Sequence, residues 1–309
     1  MSNPSLNHRG NNIPRKRWFR AGLMVMVLFA PALSLPLSAT GQGPDDDRPF
    51  VSVDERFVGK AEFDDGGEAG TVATAVKGGF QWLGLEYART DYSWSKKERL
   101  PFGDHSDDPW DTLHSLTLSS EHDGMFDHEW GWVAGVAVEA AYEDELSGSV
   151  GVDAYGGGIY VLNEDTRLLF GLAVSGHETG VGFLPLLMVD WDFVDESGTG
   201  WYAALGIPQT MLGYSFSNAF SLTLELGKED GTYRLADDSK VLGKGYVGHE
   251  EMDISLSAAW KPWGNVTFTL GPCYRFSRSM TLYDKGGEEK ESYDLDNALG
   301  GFVGLSITF

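Results

Sequence analysis

The feature that most limits what this chain can become is a two-residue alternation that runs into its last residue. Counting back in twos from Phe309 meets Ile307, Leu305, Val303, Gly301 and Leu299, while the other parity holds Thr308, Ser306, Gly304, Phe302, Gly300 and Ala298. Successive side chains of a β-strand point to opposite faces, so one face of this segment is oily and the other mostly small or polar. The same division recurs at Met252, Ile254, Leu256, Ala258 and Trp260 against Asp253, Ser255, Ser257 and Ala259, and at Phe268, Leu270, Pro272 and Tyr274 against Thr269, Gly271, Cys273 and Arg275. A further case sets Trp130, Trp132, Ala134, Val136, Val138, Ala140 and Tyr142 against Gly131, Val133, Gly135, Ala137, Glu139 and Ala141. From Phe50 onward there is no sustained 3.6-residue stripe and no apolar run long enough for a transmembrane helix.

Alternation serves a soluble sandwich and a membrane barrel equally, and three details favour the barrel. Most segments are longer than the five or six residues usual in soluble strands, whereas a membrane strand needs about 9 to 11. Trp and Tyr recur near segment ends, at Trp82, Trp94, Trp110, Trp130, Trp132, Tyr142, Trp191, Trp201, Trp260 and Trp263, as two interfacial girdles require. The inward parity is rich in Gly, Ala, Ser and Asp, which suits a wet lumen. A closed barrel is also the only sheet that satisfies its backbone hydrogen bonds in lipid. The expected fold is therefore an all-β antiparallel transmembrane barrel of fourteen strands, or twelve if the short pieces around Pro208 form a bend. With the chain ending in the periplasm, the turns at 163–166, 217–218 and 262–264 fall on that side, and the polar segments 95–110, 236–246 and 285–290 fall outside.

Before the alternation begins, Arg9, Arg15, Lys16, Arg17 and Arg20 precede the apolar stretch Ala21 to Leu37 and the small-x-small sequence Ala39-Thr40-Gly41. This is the pattern of a cleaved secretory signal over 1–41. An acidic linker, 42–49, leads to a barrel over 50–309. The 309 residues carry a net charge of −23, and the basic signal residues leave on cleavage. So acidic a chain makes nucleic acid an unsuitable partner, and one cysteine excludes a disulfide framework or multi-Cys zinc site.

A secretory signal, apolar alternation and a terminal aromatic together resemble the Gram-negative outer-membrane β-barrels. In that class Phe309, Ile307, Leu305 and Val303 would form the assembly signal read by the barrel-assembly machinery, with outer-membrane lipids and lipopolysaccharide as surroundings. The stretch Phe183-Leu184-Pro185-Leu186-Leu187 through Trp191, followed by Gly206-Ile207-Pro208, Leu212-Gly213-Tyr214-Ser215-Phe216 and Gly231-Thr232-Tyr233-Arg234-Leu235, resembles more narrowly an uncharacterised outer-membrane barrel family. No catalytic residue carries over from it.

No constellation calls for a cofactor, a metal or an enzymatic reaction. His122-Asp123 and Asp127-His128 sit in an expected hairpin turn, where polar residues are usual. His114 and Ser115 are adjacent and must point to opposite faces, so they cannot act as base and nucleophile on each other. Gly156-Gly157-Gly158 has no helix behind it and suits a bend or bulge. Asp190, Asp192, Asp294 and Asp296 alternate on the lumen parity. Asp192, Asp294 and Asp296 are the candidate pore-mouth carboxylates, able to favour cations, and the acidic loops could take divalent cations. The leading functional expectation is a passive channel or solute-transport barrel. The alternatives are a barrel plugged by Phe302, Glu139 and Arg275 with acidic outer loops as its working surface, and a secreted soluble sandwich.

Overall fold

The computed structural model describes residues 48–64 and 66–309, so the expected signal and most of the linker lie outside the described residues. Going up from the end that holds Phe50, the strands are β1 (Phe50–Glu62), β2 (Glu68–Phe80), β3 (Leu83–Ser95), β4 (Thr112–Met125) and β5 (Trp130–Tyr142). They continue as β6 (Val150–Asn163), β7 (Thr166–His177), β8 (Gly180–Asp192), β9 (Gly200–Ile207) and β10 (Gln209–Ser217). The last are β11 (Phe220–Arg234), β12 (Tyr246–Trp263), β13 (Val266–Tyr283), β14 (Glu289–Leu295) and β15 (Ala298–Thr308).

Strands β1 to β14 pair antiparallel in sequence order, and β15 pairs with both β13 and β1, which closes the sheet. Strands β14 and β15 both lie along β13 and together make one wall position, so the barrel has 14 positions. Closure leaves no sheet edge facing lipid over most of the wall. The barrel's first and last strands begin and end at the same rim, where Phe309 N–H donates to Pro49 O at 2.8 Å. Most of the short turns are at this rim and the two longest loops, 96–111 and 235–245, are at the other, as the class shows.

The parity read from sequence is the parity of the wall. Val53, Leu85, Leu118, Val136, Leu224, Leu256, Leu270 and Val303 all project outward and are exposed, whereas Ala75, Ala137, Thr223, Ser257 and Phe302 project inward and are buried. So large an exposed apolar surface is explained by hydrocarbon around it. Trp82, Trp130, Trp201, Trp260 and Trp263 form an exposed belt at the rim that holds Phe309. On the other side of the band, His114 stacks between Tyr87 and Tyr142, with centroid separations of 6.1 and 5.6 Å.

Four expectations need correction. Trp94 and Trp110 are buried inside the outer mouth and do not belong to a girdle. Segment 95–110, expected as a solvated loop, sends Leu100, Phe102 and Trp110 into the interior. The glycine run at 156–158 makes no bulge: the register with β5 and β7 is continuous through it. A Cβ at Gly157 would lie 2.3 Å from Phe170 O, so those glycines serve a close strand approach. Finally, Asp296 and Asn297 interrupt the last wall position, and the parity changes there. Tyr293 and Leu295 pack inward, while Leu299 is exposed outward, so Asp294 and Asp296 face solvent instead of the lumen.

The wall is uneven at one place. Strand β8 pairs with β9 only over Leu187 to Asp192, and β10 pairs with β11 only up to Gln209 opposite Gly227. The β9–β10 hairpin, turning at Pro208, therefore stops part-way up. Above it, Gly180 to Leu186 pairs with β7 alone. Pro185, which has no N–H to give, sits in that one-sided stretch, where a strand tolerates it. Strand β11 turns inward above Gly227. Arg234 lies beside Tyr142 of β5 in a parallel bridge, and Glu143 N–H donates to Arg234 O at 2.8 Å. At that level β6 through β10 are bypassed on the inside.

Candidate permeation path

Along the axis, the interior of the outer half is filled by two layers of side chains. The upper layer is an aromatic cap. Loop 96–111 brings in Leu100, Phe102 and Trp110, loop 235–245 brings in Leu235, Val241 and Leu242, and β3, β11 and β14 add Trp94, Tyr233 and Tyr293, with Phe63 just past β1. The rings hold one another in offset and edge arrangements, with Trp94 and Trp110 perpendicular at 5.1 Å and Phe102 parallel to Trp110 at 5.8 Å. Trp94 Nε1 donates to Trp110 O at 2.7 Å, so the loop is tied to the wall by direction as well as by packing.

Below the cap lies an ion cluster. Arg56 of β1 meets Glu229 of β11 at 2.5 Å and Asp253 of β12 at 3.7 Å. Arg275 of β13 meets Glu229 at 2.6 Å and is paired with Glu251, which also accepts from Arg278 Nε at 2.9 Å. The Arg56 guanidinium lies 5.6 Å from the Phe302 ring centroid. Three cations against three carboxylates, all with little solvent, are tolerable because every one is paired and all but Arg278 have more than one opposite partner. Between the layers a cavity of about 60 Å³ is lined by Arg56, Tyr92, Glu229, His249, Arg275 and Arg278, room for a few water molecules.

Away from this axis the interior differs. On β5 to β8 the inward residues Val133, Tyr155, Ile159, Leu169, Ala173 and Leu186 make an apolar cluster, with Leu184 and Met188 beside it. Outside the barrel, charged loops hold the rim. Lys97 pairs with Asp108 at 2.7 Å, Lys240 pairs with Asp107, and Asp237 pairs with Arg234 and with Lys244 at 3.1 Å. Those partners hold the Asp237 carboxyl below the ordinary carboxylate range and raise the Lys240 ammonium. A groove of about 470 Å³ between these loops is lined by Asp107, Asp108, Asp111, Glu143, Asp144 and Asp238 with Lys97 and Lys240.

The three candidate mouth carboxylates are not brought together. Asp192 ends β8 at the periplasmic rim, where it accepts from Val194 N–H at 3.0 Å, and its neighbour Asp190 pairs with Arg167 at 2.8 Å. Asp294 and Asp296 stand at the opposite rim on the outer parity. Phe302, Glu139 and Arg275 do project inward and are buried, as does Cys273. His114 faces outward and Ser115 is buried inward. Among the described residues no group of three His, Cys, Asp or Glu is placed to hold a metal ion. The axial residues that sequence reading passed over are Arg56, Glu229, Glu251, Asp253 and Arg278. The available signal was charge at inward parity in several segments at once.

No family model and no curated protein matches the chain. Among solved structures it is similar to the KdgM porin, at 11% identity, 84% of this chain, 99% of that one and TM-score 0.33. The P. putida toluene transporter TodX matches at 12% identity over 85% and 90% with TM-score 0.32, and LpxR from Salmonella typhimurium at 10% over 82% and 99% with TM-score 0.33. At such identities these likenesses concern the fold alone. The closed barrel, its apolar outer band and its aromatic belt define an outer-membrane type of β-barrel.

Proposed function

We propose that the protein is a passive solute-transport barrel of the outer membrane, exported with a cleaved signal and related to the uncharacterised barrel family its 183–235 segment resembles. The observation that carries this reading is the nature of the obstruction. It is built from wall side chains and two folded loops, with no separate plug domain among the described residues, so opening requires only side-chain and loop rearrangement. The acidic groove above the cap would enrich cations, including divalent ones, before they enter. Outer-membrane lipids and lipopolysaccharide surround the band. Val303, Leu305, Ile307 and Phe309 serve as the segment read by the assembly machinery, so deletion of Phe309 is expected to lower the yield of heat-modifiable barrel. No enzymatic role is proposed.

The cap and ion cluster also favour a second reading, a closed barrel that works through its acidic outer loops. Planar-bilayer recording separates the two. The transport reading expects small discrete conductance steps from the wild type and larger ones when loop 96–109 is shortened. Silence from both, with folded barrel demonstrably inserted, selects the closed barrel.

A further inference from the structure

The short β9–β10 hairpin leaves something the axial path does not use. Strand β8 presents apolar outward residues to its tip, with Val181, Phe183, Pro185, Leu187 and Val189 in turn. Strand β11 does so only through Leu222, Leu224 and Leu226, after which the same face carries Lys228 and Asp230, joined by Glu250 of β12. Lys228 lies 3.3 Å from Asp230 and 2.9 Å from Glu250, and all three side chains are substantially exposed. Two neighbouring walls at the same height do not suit one hydrocarbon layer if one is oily and the other ionic, since charge on the lipid face destabilises a barrel. The bridge between Arg234 and Tyr142 offers a resolution: it brings the top of β11 to the top of β5, so the upper part of β11 passes β6 to β8 instead of continuing beside β8. Asp153 of β6 is accordingly within coulombic range of Asp230.

The space so formed is a side recess. Its roof is closed, because Tyr246 Oη donates to Gly148 O at 3.0 Å, His177 meets the Tyr246 ring at 5.4 Å, and Arg234 pairs with Glu145 at 3.0 Å. Its side is open, because among the described residues Gly180 to Leu186 pairs with β7 on one edge and with no strand on the other. One wall of the recess is the apolar cluster with Leu184 and Leu186, and the other is ionic. The charges are acidic in balance: on the β11 side Lys228 is already shared by Asp230 and Glu250, and on the other side Asp153 of β6 and Glu139 of β5, inward beside the apolar cluster, add two more carboxyls. Glu139, 3% exposed, keeps an Oε1 with no hydrogen-bond partner, and at the hairpin lip Gln209 keeps a buried Nε2 likewise unpartnered. An oily wall, an acidic wall and a lateral opening match one ligand chemistry, a single-chain amphiphile with a cationic head.

We infer that this recess admits such amphiphiles sideways from the outer leaflet into the barrel, seating the chain on Leu184 and Leu186 and the head at Glu139, Asp153 and Asp230. This rests on the transport reading and names its substrate class. The test places a nitroxide at Asp230→Cys, and separately at Glu250→Cys and Leu224→Cys, in a Cys273→Ala background of the full mature barrel in lipid vesicles, with folding checked by heat-modifiable migration. Access of a water-soluble relaxing agent should be severalfold higher at 230 and 250 than at 224. Added dodecylamine should lower it at 230, dodecanoate should lower it much less, and glucose not at all. In a Glu139→Gln, Asp153→Asn variant the preference for the amine should disappear. A lipid-like signal at 230 and 250, no response to dodecylamine, or an equal response to dodecanoate overturns the inference. Conductance without an amine response overturns the inference alone, and an amine response in a barrel that never conducts overturns the transport reading alone.

Discussion

The β5–β8 wall and the wall made by β11 to β13 with β1 have the same outer chemistry and opposite inner chemistry. Outside, both present Val, Leu and aromatic residues to lipid. Inside, the first carries Val133, Ile159, Leu169 and Leu186, and the second carries Arg56, Glu229, Glu251, Asp253 and Arg275. The solvent outside is common to every strand and sets one rule, whereas the inner face answers to whatever stands across the lumen. Where β11 leans in, the opposing faces come close enough for ions to pair, and water is excluded. Where β5 to β8 stand away, the inner face is mainly small and apolar, with Glu139 and Asp153 as its buried carboxyls.

The comparison breaks hardest at Arg275. Arg275→Ala would leave Glu229 and Glu251 facing each other with one arginine partner fewer each, and removing one member of a buried ionic set costs about 3–5 kcal/mol. Urea unfolding from vesicles measures this. A Leu169→Val change on the other wall, with no charge left behind, should lower stability far less. Equal losses would mean that the ion cluster is more hydrated than its burial implies.

The next largest effect tests the shared outer rule. Leu256 and Leu270 both project into the band, so Arg at either should cost about 2–4 kcal/mol near the midplane. A wide polar lumen would make Ser257→Arg or Thr269→Arg mild by contrast. The structure removes that contrast on this wall, because Ser257 is 1% exposed and Thr269 9%. Inward arginines there must displace packed neighbours, and are expected to destabilise by amounts comparable with the outward ones.

How much of this was legible follows from the same division. Outer parity, strand number and the side on which each loop falls could be read, because lipid imposes period two on every segment alike. The last wall position shows the limit: alternation through Asp294, Asp296 and Ala298 looks unbroken, yet the break at Asp296 and Asn297 reverses it without any apolar cue. Trp94 and Trp110 show another, since an aromatic at a strand end reads the same whether it faces a membrane interface or folds over the mouth. The ion cluster joins β1 to β11, β12 and β13, and no spacing within a segment announces a partner more than a hundred residues away. The Pro208 pieces were visible as short; that their shortness opens the wall required the register.

Within the cap, Trp94→Phe keeps the ring stack and removes the hydrogen bond to Trp110 O, a loss of about 1 kcal/mol. On the transport reading it should also lengthen open dwell times in planar bilayers. Unchanged dwell times with the expected stability loss would separate the cap from gating.

The smallest effect is a pH response confined to the outer rim. The Asp237 carboxyl is held below its ordinary range chiefly by its hydrogen bond to Arg234, with Lys244 second. A carboxyl whose folded-state pKa is depressed stabilises the fold above its unfolded value, and that contribution is lost as the pH falls through the lowered folded value. The link between loop 235–245 and the top of β11 should therefore hold at neutral pH and loosen only in acid, below the usual carboxylate range. Because Asp237 is fully exposed, salt screens much of the effect. Hydrogen exchange of the 235–245 amides, followed from neutral to acid pH, should show faster opening in acid in the wild type, after correction for intrinsic exchange, and little such change in Asp237→Asn. If Asp237→Asn opens no faster than wild type at neutral pH, the rim is held by Glu143 accepting from Ala236 N–H and by the cap beneath it, and Asp237 has no part in holding it.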